Sequence, residues 1–416
     1  MKVAVVGGGS TYTPELVDGF ARSGPFDELV LIDPAADRLA VIGPFARRIL
    51  ARHGHPGRLN WTDDLDAGLT DADMVVIQLR VGGQAARISD ETFPLDCGCV
   101  GQETTGAGGL AKAMRTVPVV LDIARRAREL AAPGAWVVAF TNPVGIVTRA
   151  LLDDGHRAVG LCNVAIGLQR HVAGLLDVRA GEVVLDHVGL NHLSWERAVT
   201  VGGTDRLPDL LAEHVGALAE QVRLPSRILE LTGTIPSYYL RYFYCHDEVV
   251  TEQRATPSRG QRVADIEREL LAMYADPLLD TKPALLGERG GAYYSEAAVG
   301  LIASLAGDDQ AVHAVNVRND GTLPNLADDA VVEVSCRVGA LGATPLPTAP
   351  LGPDLAGLVG HVSGYEELAV QAAVHGGRDR VFRALLAHPL VGQFDLAEQL
   401  TDRLLAENAA HLAWAR

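Results

Sequence analysis

Two short pairs, Cys162-Asn163 and Asn191-His192, supply a soft sulfur donor and an imidazole. Together they can hold a divalent cation and leave coordination positions open for a substrate, as a catalytic metal site requires. On ligand chemistry alone such a pair suits zinc. A second group is aromatic, Tyr238-Tyr239-Leu240-Arg241-Tyr242-Phe243-Tyr244. A phenol there could move a proton if a metal, a neighbouring cation or a hydrogen-bonded acceptor shifted its pKa from about 10. Most rings of the cluster are expected to be core or pocket wall.

The elements that must position these groups begin at the first residues. Lys2-Val3-Ala4-Val5-Val6 is a short apolar run ending in Gly7-Gly8-Gly9-Ser10, and Thr13-Pro14 opens an amphipathic stretch over 15–21. A strand, a glycine turn and a helix N-terminus in that order make a cradle for a pyrophosphate. A second apolar run, 29–32, ends at Asp33. A carboxylate about twenty residues past the glycines accepts hydrogen bonds from an adenosine ribose and disfavours a 2′-phosphate. Gly7, Gly9, Ser10, Thr11 and Asp33 are therefore the expected cofactor contacts, with NAD preferred over NADP. The match to G-x-G-x-x-G is partial, because Tyr12 stands where the third glycine would be.

Strands are expected at 2–6, 29–32, 74–79, 136–140 and 158–161, with helical patterns between them, including one over 109–130. This alternation predicts an α/β fold with a doubly wound parallel sheet. After Asn163 the pattern changes. Antiparallel strands are expected at 183–188 and 193–201, a further strand at 330–338, and helices at 261–274, 291–306, 355–374 and 396–413. The expected organisation is a Rossmann-like NAD-binding domain over residues 1–165, followed by an α+β domain over 166–416 for substrate, metal and oligomerisation.

Ligands of such sheets sit outside the carboxyl ends of the strands. Arg80-Val81-Gly82-Gly83, Thr141-Asn142-Pro143 and Cys162-Asn163 each follow a predicted strand and so converge on one edge. Taken singly, each has an ordinary explanation: Asn142 before Pro143 starts a helix, Arg80 and Arg87 are surface charges, and a lone cysteine packs. Their common edge favours a site.

At 416 residues the chain is long enough for two domains, each with its own core. With 48% hydrophobic and 21% charged residues it is globular rather than disordered. A formal charge of −16 argues against nonspecific nucleic-acid binding, yet a few local arginines can still hold an anionic small molecule. No apolar run is long enough to cross a bilayer, and the first is too short for a signal peptide, so a cytoplasmic protein is expected. Five scattered cysteines imply no disulfide framework. Lys2, Lys112 and Lys282 are the only lysines, read as a base-composition preference for arginine without functional weight.

The combined pattern resembles glycoside hydrolase family 4, the NAD- and metal-dependent glycosidases. The landmarks run in order from Val5-Val6-Gly7-Gly8-Gly9-Ser10 through Arg80-Val81-Gly82, Val100-Gly101-Gln102-Glu103-Thr104, Thr141-Asn142-Pro143, Cys162-Asn163, Asn191-His192-Leu193-Ser194-Trp195 and Tyr238-Tyr239-Leu240-Arg241-Tyr242 to Arg289-Gly290-Gly291-Ala292-Tyr293-Tyr294. The resemblance implies the lactate and malate dehydrogenase-like domain plan and a redox-assisted elimination. NAD⁺ takes a hydride from sugar C3, a tyrosine removes the acidified C2 proton, the C1–O bond breaks, water adds, and the hydride returns.

By the same resemblance Cys162 and His192 hold the cation, manganese by family precedent rather than zinc. Tyr239 is the base, Glu103 supports its basicity, and Arg87, Asn142, Asn163 and Arg259 contact substrate, Arg259 at a phosphate. Asn163 resembles the 6-phospho-β-glucosidase branch, because the α-acting members have an aspartic acid there and an amide cannot be a general acid. The implied substrate is a 6-phosphorylated β-glucoside, and the implied assembly a homodimer or homotetramer. Alternatives are an α-glucosidase or α-galactosidase-type member, a plain NAD-dependent hydroxy-acid dehydrogenase, and a catalytically silent NAD sensor.

Overall fold

The computed structural model describes residues 1–291 and 293–415. Six parallel strands form the first half of the main sheet: β1 (Lys2–Val6), β2 (Glu28–Ile32), β3 (Arg58–Thr62), β4 (Met74–Ile77), β5 (Trp136–Ala139) and β6 (Ala158–Gly160). Their spatial order is β3-β2-β1-β4-β5-β6, with Val3 opposite Leu29 on one side and Met74 on the other. Apart from Lys2 and Glu28 at their first residues the inner strands are apolar, because helices cover both faces, as a parallel sheet requires. Helices Thr13–Ser23, Ala36–Arg52, Gly106–Leu130 and Val144–Asp153 make the main crossovers. Strand order reverses between β1 and β4, which opens a crevice at their carboxyl ends.

The remaining strands are β7 (Val183–Leu190), β8 (Leu193–Val201), β9 (Thr204–Asp205), β10 (Ile235–Pro236), β11 (Ala311–Arg318), β12 (Val331–Gly339) and β13 (Gly342–Pro345). Among them β11, β12 and β13 extend the main sheet antiparallel, β11 pairing with β6 at Asn316 and Gly160. A Cβ at Gly160 would stand 2.1 Å from Thr148 Oγ1 and 2.9 Å from Asn316 Cβ, so only glycine allows this junction. The expected division at residue 165 therefore does not coincide with a sheet edge. The sheet is continuous because β11, absent from the sequence reading, finds its partner far back in the chain. Strand β3 was likewise not anticipated; its Arg58-Leu59-Asn60-Trp61-Thr62 run lies at the sheet edge and is only partly buried.

A second sheet, β10-β8-β7 with β9 paired to β8, docks on the first through β12. There Ser335 Oγ donates to the Leu185 carbonyl at 2.7 Å. The hairpin of β7 and β8 turns on Asn191-His192, since Leu190 faces Leu193. This turn lies close to the end of β6, which brings Cys162 and His192 together.

The C-terminal helix Phe394–Asn408 closes over the site-bearing helices Gly83–Asp96 and Gly106–Leu130. Arg115 carries this contact, donating to both oxygens of Asp90 at 2.9 and 2.6 Å and also to Asn408, with both ionic side chains nearly inaccessible. Removing one partner leaves the other charge buried and unpaired. Asp90→Ala is expected to cost about 3–5 kcal/mol of stability, read as a lower urea midpoint at unchanged denaturant slope.

Candidate active site

The nucleotide cradle is built from the β1 turn. Gly7 has φ +91°, and a Cβ on Gly9 would lie 2.8 Å from the Asp33 carboxylate. Gly9 N–H donates to Asp33 Oδ2 at 2.9 Å, so Asp33 braces the loop as well as facing the cavity. That cavity, about 710 Å³, is lined by Gly7, Gly9, Ser10, Asp33, Arg38, Lys112 and Asn142 among others. Its glycine loop and cavity-facing carboxylate fit a dinucleotide. Thr11 departs from expectation. Its side chain is fully buried and donates to Glu267 at 2.9 Å, so it supports the loop from beneath instead of lining the cavity. Tyr12, in the place of the third glycine, reaches the other way and donates to the Gly291 carbonyl.

A second cavity of about 980 Å³ shares Tyr12, Arg80, Asn142, Arg289 and Tyr294 with the first, so the two are contiguous across the sheet's carboxyl edge. Its wall includes Arg87, Glu103, Asn163, Tyr238, Tyr239, Arg259 and Arg262. Glu103 is buried beneath it, paired with Arg80, with Lys112 Nζ at 2.7 Å and with Arg87 Nε at 3.2 Å. Burial alone would raise the Glu103 carboxyl, but the three cations outweigh it and hold it well below the usual range. Burial and neighbouring Arg80 bring Lys112 down to about 8. Arg87 also binds Glu91 at 2.8 Å. Arg259 is exposed, donates to the Glu288 carbonyl at 2.8 Å, and is lowered by burial of part of its surface together with Arg87 and Arg262. Clustered guanidinium groups with mutual repulsion suit an anionic ligand.

The proposed metal ligands and base meet at the floor. Cys162 Sγ lies 3.5 Å from His192 Nε2, and the His192 ring stacks on Tyr239 with centroids 3.6 Å apart and planes 4° from parallel. His192 holds φ +64°, a left-handed conformation that costs a non-glycine residue roughly 1–2 kcal/mol. Burial lowers its pKa to about 4, so the imidazole is neutral, as a ligand must be. Burial, with Glu333 nearby, pushes the Cys162 thiol up to about 12. Burial also raises Tyr239, and Cys162, Tyr238 and Glu103 add to that. These effects hold Tyr239 as a neutral phenol, so acting as a base requires a nearby positive charge, such as a bound cation, to bring it down.

Among the described residues no three His, Cys, Asp or Glu side chains surround one cation position. Two protein donors, one soft and one neutral nitrogen, fit a cation whose other positions belong to substrate oxygens. The Asn142 Oδ1 is buried with no hydrogen-bond partner among the described residues, a polar atom left for a ligand.

Arg87, Asn142, Asn163, Arg259, Glu103 and Tyr239 thus share one cavity wall, with Cys162 and His192 against it. Lys112 and Arg289 were missed. Arg289 joins both cavities, pairs with Glu267 at 2.9 Å and lies 5.2 Å above the Tyr12 ring. Lys112 carried a signal that was set aside: a lysine in a chain that otherwise uses arginine marks a place where a compact ammonium fits and a guanidinium does not.

Residues 2–178 match the family described as "Family 4 glycosyl hydrolase", and 187–391 match its C-terminal domain. A probable 6-phospho-beta-glucosidase of Bacillus subtilis is 38% identical, the match covering 99% of this chain and 97% of that one. The 6-phospho-beta-glucosidase of Escherichia coli is 36% identical over 100% of this chain and 96% of its own. Among solved structures, the Thermotoga maritima 6-phospho-beta glucosidase with manganese, NAD⁺ and glucose-6-phosphate superimposes with a TM-score of 0.90 at 31% identity, covering 99% of both chains. Malate dehydrogenase from Salinibacter ruber shares the fold alone, at TM-score 0.56 and 17% identity, covering 89% of this chain and 97% of its own. With both domain descriptions matched in order and full-length relatives above 30% identity, the chain belongs to glycosyl hydrolase family 4.

Proposed function

We propose that the protein hydrolyses 6-phospho-β-glucosides to glucose 6-phosphate and an aglycone, with NAD and a divalent cation, manganese by preference, as cofactors. The observation that carries this reading is the stack of Tyr239 on His192, with Cys162 3.5 Å from the same imidazole, beside an arginine-lined cavity that opens into the nucleotide cradle. In this reading residues 1–165 bind NAD, and 166–416 complete the substrate and metal site.

Arg259, with Arg262 and Arg87 beside it, binds the 6-phosphate and fixes the sugar in the cavity. Asn142 accepts from a sugar hydroxyl through its Oδ1, Asn163 donates to another, together setting the ring's orientation, and Cys162 and His192 hold the cation. When bound, NAD⁺ supplies a reversible hydride acceptor for C3 and the cation supplies Lewis acidity toward the C2 and C3 oxygens. Tyr239 then takes the C2 proton, and Glu103 keeps the phenolate basic. The aglycone leaves from C1, water adds, Tyr239 protonates C2 after its hydroxyl proton has exchanged with solvent, and the hydride returns to C3. The Asn163 amide is no general acid, so the departing oxygen draws its proton from water.

Release of p-nitrophenol from its β-glucoside 6-phosphate is expected to require both NAD⁺ and Mn²⁺, without net NADH. Steady NADH accumulation would point to a dehydrogenase, and preference for the α-anomer to the other branch. Tyr239→Phe is expected to lower kcat by about 10²-fold or more while NAD⁺ affinity is kept; full activity would remove Tyr239 as the base. Arg259→Ala is expected to raise KM for the phosphorylated substrate roughly tenfold to a hundredfold, with little effect on the unphosphorylated analogue. Equal effects on the two would contradict phosphate recognition.

A further inference from the structure

Behind Cys162 and His192 lies a buried polar chain that the reaction does not use directly. His187 on β7 faces Glu196 Oε1 on β8 at 2.6 Å through Nδ1, and Glu333 Oε1 on β12 at 3.0 Å through Nε2. Burial opposes a charge on this ring, but the two carboxylates outweigh it and raise its pKa to about 10, so both nitrogens donate. The other oxygen of Glu333 accepts from Asn316 on β11 at 2.8 Å and from Asn191 at 2.9 Å. All five side chains are buried, at 9% exposure or less.

We propose that Asn191 is the positioning residue of the cation site, its amide held by Glu333 so that the β7–β8 turn presents the adjoining His192 to Cys162. This rests on the reading that Cys162 and His192 bind the cation. A side-chain amide has two N–H donors. One of them is taken by Glu333 at 2.9 Å, and the adjoining His192 stands with Nε2 3.5 Å from Cys162 Sγ. The Glu333 contact ties the β7–β8 turn to β12, and so fixes His192 relative to Cys162.

The imidazole cannot provide this positioning itself. A ligating histidine normally anchors its second nitrogen to an acceptor. Here His192 Nδ1 is buried with no hydrogen-bond partner among the described residues, and the ring is held by its backbone, by the Tyr239 face and by Cys162 Sγ at Nε2. The anchor has moved one residue back, to Asn191. Glu333 is in turn held by its bonds to His187 and Asn316, so three strands set the angle of one amide.

The test is Mn²⁺ titration of the full-length protein with NAD⁺ present, followed by the electron paramagnetic resonance signal of free Mn²⁺. Wild type is compared with Cys162→Ser, Asn191→Ala and Glu333→Gln. Wild-type binding that is lost in Cys162→Ser locates the site. Asn191→Ala is then expected to weaken Mn²⁺ binding about tenfold or more, with NAD⁺ affinity and Tm unchanged. Glu333→Gln should weaken it in the same direction, and Asn191→Ala decides alone if that variant does not fold. Unchanged Mn²⁺ affinity in Asn191→Ala overturns the proposal, as does an equal fall in NAD⁺ affinity or a large loss of Tm, which would mark Asn191 as a general structural residue. Wild-type Mn²⁺ binding indifferent to Cys162→Ser would instead remove the metal assignment itself, and the positioning role with it.

Discussion

A buried carboxylate must be neutralised where it stands, and Glu103 is the point from which the site is built. Its oxygens collect Arg80 from the end of β4, Arg87 from the helix Gly83–Asp96 and Lys112 from the helix Gly106–Leu130. Glu103 offsets the cost of holding Arg80 and Lys112 out of water, and shares Arg87 with Glu91. The result is a cavity floor that is rigid and carries an excess of positive charge beside a phenol, although the protein as a whole is acidic. Electrostatic steering by the net charge is therefore less important than this local arrangement, because screening limits distant charges and leaves partly buried ones effective.

Glu333 repeats the device on the other side of the site. It sits on an antiparallel strand added to the parallel sheet, and it joins a histidinium and two amides, one of them Asn191 beside His192. Glu103 organises charges that line the cavity, whereas Glu333 organises donors behind its floor. Between them lie Cys162, His192 and Tyr239, whose geometry is set from two directions. Neither the left-handed backbone of His192 nor the elevated thiol and phenol pKa values would persist in a loosely packed loop.

The parts of this arrangement that follow local pattern were legible in the sequence. The β1 strand, its glycine turn and Asp33 follow from residue type and spacing, and the alternation of apolar runs places Arg80, Asn142 and Cys162 at successive strand ends on one edge. Family resemblance added Tyr239, Glu103 and Arg259, which no periodicity distinguishes from their neighbours. What was not legible depends on pairing over long separations. Asn316 meets Gly160, and His187 meets Glu333, through strands whose partners no local window contains. Thr11 was misplaced for a related reason: its position in the glycine loop suggested a ligand contact, but Glu267 from a helix far along the chain takes its hydroxyl.

The central claim is that Tyr239 exchanges the proton on C2 while a hydride leaves and returns at C3. It is tested most directly by letting the wild-type protein cleave a 6-phospho-β-glucoside in D₂O and examining the glucose 6-phosphate by mass spectrometry and proton NMR. The account predicts deuterium at C2 of the product, with hydrogen retained at C3. Product with hydrogen at both carbons would contradict it, because hydrolysis would then have bypassed C2 altogether.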